Sequence, residues 1–368
     1  MAYTTIDKPT DYFNTVLYTG NGSTQSITGV GFQPDWLWIK SRGSTGNGRV
    51  HDVIRGVDKQ LYTSLTNAEY TYSPNTGVTS FDSDGFSLGS DIGQNTNTET
   101  YVAWNWLAGT SVSGNTGGSG TAKTYSGSVN TTAGFSIINF VGNGTAGHTI
   151  PHHLGVAPKM VIVKNRTSGS TNWQTYHYGL DDGAGTHEIF LDLDNAKNAS
   201  SGAWNNTAPT STVITKGTGS YGNENNSNHI MYSFAEKKGY SKIGSYTGNG
   251  NADGTFVYTG FKPAYVMLKR TDTTGNWALS DNQRLNNSGN QDGGNGNFVP
   301  HMLAANLNND EAHFGGGSGN KQDFLSNGFK IRDTGGYANT SGGSYIYMAF
   351  AENPLVANVN GGLPATAR

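Results

Sequence analysis

Apolar residues fall in short islands between stretches of Gly, Asn, Ser and Thr, and three of the islands share one spelling. The first is Gly31-Phe32-Gln33-Pro34-Asp35-Trp36-Leu37-Trp38-Ile39-Lys40-Ser41-Arg42. The second is Gly155-Val156-Ala157-Pro158-Lys159-Met160-Val161-Ile162-Val163-Lys164-Asn165-Arg166. The third is Gly260-Phe261-Lys262-Pro263-Ala264-Tyr265-Val266-Met267-Leu268-Lys269-Arg270, and Pro to Lys spans six residues each time. A Gly-Asn-Gly turn precedes each island, at Gly20, Gly142 and Gly248. An aromatic segment closes each copy: Tyr101 to Trp106, His229 to Phe234 and Tyr345 to Phe350. The last two run on into Phe-Ala-Glu, ending at Glu236 and Glu352, whereas the first continues as Leu107-Ala108. A Trp recurs seven residues past Arg166 and Arg270, at Trp173 and Trp277.

A strand with one wet face alternates, so an unbroken apolar run after each Pro predicts a strand buried on both faces. Pro is expected at the first strand position, where no ladder hydrogen bond is lost. The closing segments are apolar on both parities and read the same way. The Pro-to-Pro offsets are 124 and 105 residues, which are domain-sized steps and not solenoid rungs. The pattern predicts an all-β protein of three tandem β-sandwiches of about 110 residues each, with jelly-roll and other strand orders open. The expected boundaries are 1–109, 124–238 and 239–356, with a linker over 110–123 and a tail over 357–368. The Gly/Ser/Thr composition of 110–123 suggests a flexible tether. Repeats two and three are joined directly through Lys237-Lys238-Gly239, which predicts a nearly rigid pair. The polar inserts 286–297 and 315–320 are expected as surface loops.

Composition narrows the class. Apolar residues are 34% and charged residues 13%, both low, yet aromatics reach 11%, which argues against global disorder. No apolar run is long enough for a transmembrane helix, so membrane insertion is not expected. The opening segment has neither the basic stretch nor the apolar run of a secretory leader. A net charge of −3 without Lys/Arg clusters lacks the footprint of a nucleic-acid binder. Zero cysteines exclude disulfides, thiolate metal sites and Cys nucleophiles.

Several stretches bear on family. The Tyr-Thr-Gly-Asn-Gly turns, the Gly-Phe-(Gln/Lys)-Pro islands, Phe81-Asp-Ser-Asp-Gly-Phe-Ser-Leu-Gly89, the Ala-Trp-Asn-Trp-Leu-Ala-Gly segment and the opening Asp11-Tyr-Phe-Asn-Thr15 resemble a repeat domain of tailed-phage virion proteins, especially from marine phages. The resemblance covers about residues 11 to 354. It implies a tail-fibre or virion-surface component built of concanavalin-like lectin sandwiches, with other virion proteins and a host cell-surface glycan as partners. A homotrimer is the oligomer it suggests, and it brings no catalytic motif. A capsid fibre or decoration protein is a variant of this reading. A polysaccharide-degrading enzyme on the same fold is a separate alternative.

Candidate chemistry has to be weighed against that expectation. The basic pairs Lys40/Arg42, Lys164/Arg166 and Lys269/Arg270 read either as an anionic glycan site or, more simply, as solvated strand ends that deter edge pairing. Trp36, Trp38, Trp104 and Trp106 sit in apolar strands and belong to a core. Trp173 and Trp204 lie in polar surroundings, and Tyr221 and Tyr337 in Gly-rich loops, so these four are the candidate glycan-binding residues. His148, His152, His153, His177 and His187 lack metal-ligand spacing and read as surface histidines. If 187–194 were one strand, Glu188 and Asp192 would stand about 13 Å apart. That is beyond the roughly 5–9.5 Å of glycosidase pairs; Asp192 and Asp194, near 7 Å, fall inside it. Asp82-Ser-Asp84-Gly85 and Asp181-Asp182-Gly183 have the oxygens Ca²⁺ prefers, yet turn chemistry accounts for both. No cofactor is expected.

Overall fold

The computed structural model describes residues 4–284, 298–311, 322–356 and 364. The expected loops 286–297 and 315–320, and the tail apart from residue 364, lie outside the described residues. The chain is 44% strand and 5% helix, in several antiparallel sheets, which is the all-β architecture that the pattern predicts. Among the described residues each repeat supplies one large and one small sheet: six and three strands, then eight and three, then five and four. In every large sheet the closing strand is sandwiched between an opening strand and the Pro-led strand. Thus Thr100–Trp106 lies between Phe13–Thr19 and Trp36–Ser41, Asn228–Phe234 between Phe135–Val141 and Met160–Asn165, and Ser344–Pro354 between Ser241–Thr247 and Phe261–Arg270. The register also repeats, with Lys40 opposite Val102, Lys164 opposite Ile230 and Lys269 opposite Ile346.

Pro is the first strand residue in none of the copies. Pro34 and Pro158 precede their strands, but Pro263 lies inside Phe261–Arg270, where register shifts around it absorb the missing donor. The expected tether is also structured. Thr110–Asn115 pairs with Thr124–Asn130 and forms the outer edge of the eight-stranded sheet. Its side chains are mostly exposed, so its composition resembles a linker; its backbone satisfies itself in a ladder.

The continuous apolar runs are buried on both faces for a reason that one sandwich does not supply. One parity of each Pro-led strand meets its own small sheet: Leu37 and Ile39, Val161 and Val163, Val266 and Leu268. The other parity converges on a single core shared by all three repeats. It contains Trp36, Trp38, Trp104 and Trp106 from the first, Phe135, Ile162, Tyr232 and Phe234 from the second, and Tyr265, Met267, Met348 and Phe350 from the third. Rings touch across the repeats: Trp36 with Tyr232 at 4.8 Å, Phe13 with Tyr265 at 5.6 Å, and Phe234 with Phe350 at 6.1 Å. The array that is linear in sequence is therefore closed into a ring around a common centre.

The ring is stapled by equivalent contacts. Lys40 Nζ donates to the Leu307 carbonyl, Lys164 Nζ to that of Thr66, and Lys269 Nζ to those of Asp194 and Asn195. Repeat one thus reaches repeat three, two reaches one, and three reaches two. All three lysines are buried, so they are neither solvated strand ends nor an anion site. A strand-end lysine is normally wet; here a loop from a neighbouring repeat brings carbonyls that replace water. Trp173 Nε1 and Trp277 Nε1 follow the same rotation, donating to Tyr62 O and Phe190 O at 2.8 Å each.

The Gly-Asn-Gly turns are anchored alike. Asn95 Oδ1 receives the Asn21 amide, Asn223 Oδ1 that of Asn143, and Asn339 Oδ1 that of Asn249. A Cβ at Gly20, Gly142 or Gly248 would collide with the carbonyl of Thr96, Glu224 or Thr340, which is why the turn opens on glycine.

Candidate functional site: the boundary between repeats two and three

Two of the three boundaries carry a chain of four charged residues that is buried at its inner end and partly exposed at its outer end. At the boundary of repeats one and two, Asp52 binds Arg55 at 2.5 Å, Arg55 meets Glu69 at 3.4 Å, and Glu69 meets Arg166 at 2.8 Å. Tyr232 closes the end by donating its hydroxyl to Asp52 Oδ2. At the boundary of three and one, Asp281 binds Arg284 at 2.7 Å, Arg284 meets Glu311 at 3.1 Å, and Glu311 meets Arg42 at 3.0 Å. Trp104 Nε1 there donates to Asp281 Oδ2. Burial disfavours the charge on Arg55 and Arg284, but their acidic neighbours outweigh it and push both pKa values up.

The third boundary lacks the whole chain. His177 stands opposite Met160, as Asp52 stands opposite Trp36 and Asp281 opposite Tyr265. Leu180 follows three residues on, where the others have Arg55 and Arg284. The Glu69 and Glu311 amides donate to the carbonyls of Arg166 and Arg42; the equivalent donation is from the Lys197 amide to the Thr271 carbonyl. Asp-Arg-Glu-Arg has become His-Leu-Lys-Thr. His177 Nε2 donates to the Tyr347 carbonyl and its Nδ1 accepts from Gly179, so the ring is held neutral; burial lowers its pKa to about 4.

Beside this boundary lies a small groove of about 280 Å³, lined by Asp194 of repeat two and by Arg270, Thr274, Gly275, Asn276, Gly336 and Tyr337 of repeat three. Arg270 is one residue short of the position of Arg42 and Arg166, so it turns to its own Asp272, with Nε–Oδ1 2.9 Å and Nη2–Oδ2 3.0 Å. Its Nη1 donates to Thr340 Oγ1. Asn276 donates to the Tyr337 hydroxyl at 3.4 Å and accepts from Asn306 at 2.7 Å. The Gly275 amide donates to Asp194 O, which joins the two walls. A phenol, an amide, a guanidinium edge and one carboxylate thus surround a small space whose glycines leave the backbone accessible. That is a set of groups for holding a polar hydroxylated molecule.

The four candidate glycan-binding residues separate here. Trp173 and Trp204 are corrections: they are 0% and 1% exposed. Trp173 packs in the central core, and Trp204 in the second sandwich under Lys216, whose Nζ lies 3.6 Å from the ring centroid. Polar neighbours in sequence did not keep either ring wet, because each is inserted beneath a sheet. Tyr221 is half-buried against Phe190, with ring centroids 5.3 Å apart. Tyr337 alone of the four lines the groove.

The other candidates have structural roles. The strand His187–Phe190 ends before Asp192, so the single-strand geometry assumed for the three carboxylates is absent. Glu188 accepts from Gln174, which accepts from Lys216; Asp192 accepts the Trp173 amide and binds Asn172. Burial lowers the Lys216 pKa to about 7. His148, His152 and His177 are buried and not at the surface. Asp84 accepts the Gly29 and Gly31 amides, Asp82 the Ser80 and Ser87 hydroxyls, and Asp181 the Thr186 and His187 amides, which is turn chemistry. Among the described residues no cluster of three metal-ligating side chains occurs. The ion chains are not legible from local sequence, because their members lie up to 269 residues apart. Their trace was the spacing itself: Lys-x-Arg in the first two copies and Lys-Arg in the third.

These features define a closed ring of three β-sandwich repeats with a polar groove at the boundary that lacks the charges. The chain belongs to the family described as a domain of unknown function, DUF7483, whose model matches residues 8–354 and so takes in all three repeats. No curated protein and no solved structure matches it.

Proposed function

We propose that this protein is a non-enzymatic structural component of a tailed-phage virion surface, of the tail-fibre or appendage class, which contributes to attachment to a host-surface glycan. The observation that carries the reading is the ring: three β-sandwich repeats joined through one core and buried cross-repeat staples, with polar groups left at one boundary. A projecting element needs rigidity, and a weak polar groove gains strength when many copies engage at once. The non-enzymatic part is supported by the roles of Glu188 and Asp192: Glu188 Oε2 accepts from Gln174, and the two Asp192 oxygens accept from Asn172 and the Trp173 amide. The sequence resemblance to virion repeat domains supplies the virion setting.

Immunogold labelling of purified particles tests the location, with label expected on tail or appendage; particles free of the protein reject it. Adsorption tests the groove. Tyr337→Ala with Asn276→Ala is expected to lower host adsorption at least tenfold with the particle intact, and unchanged adsorption removes the groove from the reading.

A further inference from the structure

The small sheet of repeat three carries a surface that the other repeats lack. In its edge strand Phe256–Tyr258, Val257 enters the sandwich core, whereas Phe256 and Tyr258 are 42% and 54% exposed. Across the ladder, Lys330 stands opposite Phe256 and Gly328 opposite Tyr258; one strand further, Leu325 stands opposite Gly328. A side chain at Gly328 would strike the Val257 carbonyl and approach the Phe256 ring at 3.0 Å. The Phe256 ring lies across this buried glycine and so rests flat against the outer face of the sheet.

The first two repeats serve as internal controls. At the matching positions repeat one has Ser26 and Thr28 flanking the inward Ile27, facing Ser87 and Gly85. Its outer face is a hydroxyl network: Ser26 meets Ser87 at 2.9 Å, and Ser87 and Ser80 donate to Asp82. Repeat two has Thr149 and Pro151 around Ile150, facing Thr215 and Val213. The same sandwich therefore forms without aromatics there, and the fold does not require Phe256 or Tyr258.

We propose that Phe256 and Tyr258 form a stacking platform for the rings of a neutral oligosaccharide. This rests on the glycan reading above but not on the groove. Size favours this occupant. Two half-exposed aromatic side chains offer on the order of 200 Å², about a quarter of the roughly 800 Å² each partner contributes to a stable protein interface. Spacing agrees, since residues two apart on a strand share one face with Cα atoms about 7 Å from each other. Charge decides against an acidic sugar. Lys330 is paired with Asp253 at 2.5 Å, and Arg332 with Asp323 at 2.6 Å and Asp253 at 3.3 Å, so the flanking charges cancel locally. What remains is an apolar floor for the C–H face of a sugar and a polar rim for its hydroxyls.

The test is saturation-transfer NMR on the full chain with cellotriose, maltotriose and chitotriose as neutral probes and trigalacturonate as the acidic comparison. The F256S/Y258T variant restores the residues of repeat one and is expected to keep the wild-type circular dichroism and melting temperature. Transfer to the ring C–H protons of at least one neutral trisaccharide is expected, with at least tenfold weaker affinity in F256S/Y258T and intermediate affinity in each single variant. Y337A is expected to leave this binding unchanged. The platform is overturned if wild type binds no neutral probe, binds only the acidic one, or binds undiminished after F256S/Y258T. It is equally overturned if the aromatics prove to mediate self-association that the double variant abolishes. Loss through Y337A alone would sink the platform and keep the groove; loss through F256S/Y258T alone does the reverse.

Discussion

The boundary between repeats three and one and the boundary between repeats two and three use the same backbone contacts and opposite electrostatics. The first joins the buried Asp281, Arg284 and Glu311 to the half-buried Arg42 in one chain; the second places His177, Leu180, Lys197 and Thr271 at the same four positions. The substitutions are concerted. Removing one charge from a buried chain strands its partner, at a cost of about 3–5 kcal/mol, while removing all of them is often neutral. The third boundary comes close to the second outcome: all four ion-chain residues are replaced, and the one charge left, on Lys197, donates to the Leu180 carbonyl. The shared core and the lysine staples are common to all three boundaries, and the backbone contact is kept where the ion chain is gone.

The harshest way to break this comparison is Arg284→Leu alone. It imports the leucine of position 180 without its companions, leaves the buried Asp281 without its cation and leaves Glu311 to Arg42 alone. The expected loss is about 3–5 kcal/mol in urea denaturation. Completing the transplant with Asp281→His, Glu311→Lys, Arg42→Thr and Trp104→Met, the last matching Met348, is expected to recover most of that loss. If the five-residue variant is no more stable than Arg284→Leu, the boundaries are not interchangeable and the comparison fails.

How much of this was visible in the chain follows from the same residues. The three Pro-led runs and their both-face burial were legible, because four apolar residues in a row have no other use in a strand. What covered the second face was not: Trp36 and Trp38 look the same in sequence whether a second sheet or a neighbouring repeat lies over them. Lys40, Lys164 and Lys269 were misread because their hydrogen-bond partners lie 267, 98 and 75 residues away, on loops with no signal of their own. Trp173 and Trp204 were misread because local polarity describes the loop and not where its ring goes. Of the candidate site, Tyr337 alone was anticipated. Asp194 was considered for a different chemistry, and Arg270 was aligned with Arg42 and Arg166 although it is one position off their register.

The lysine staples give a smaller effect, common to all boundaries. Burial draws the pKa of Lys40 down to about 7 and those of Lys164 and Lys269 to about 8. A lowered folded pKa means that, between these values and the unfolded value near 10.4, the unfolded chain binds more protons. Stability therefore rises with pH from about 7 towards 10, by at most about 1.4 kcal/mol per pH unit for each lysine. Below pH 7 the lysines are protonated in both states and this slope vanishes. Denaturation midpoints between pH 7.5 and 9.5 are expected to climb in wild type and to climb less in Lys40→Met. A flat wild-type profile would mean that the carbonyls of Gly46 and Leu307 keep Lys40 charged.

The smallest expected effect comes from giving the third boundary the pair it lacks. Thr271→Arg with Lys197→Glu rebuilds the outer half of the chain, following the pattern of Arg166 and Glu69, whose side chains are 16% and 12% exposed. A pair that is partly wet contributes about 0–1 kcal/mol. Lys197→Glu would also give up the bond that Lys197 Nζ makes to the Leu180 carbonyl at 2.5 Å. The net gain should therefore be below about 1 kcal/mol, read as the coupling term of a double-mutant cycle and not from either single variant. Each single change should be slightly unfavourable, since the new guanidinium would face Lys197, or the new carboxylate would face Thr271. Because Thr271 directly follows Arg270 at the groove wall, the rebuilt pair should also draw the walls together and weaken any ligand bound there. Positive coupling with unchanged groove binding would separate the two features. No coupling at all would mean that charge was lost at this boundary because its backbone does not bring the two positions within reach.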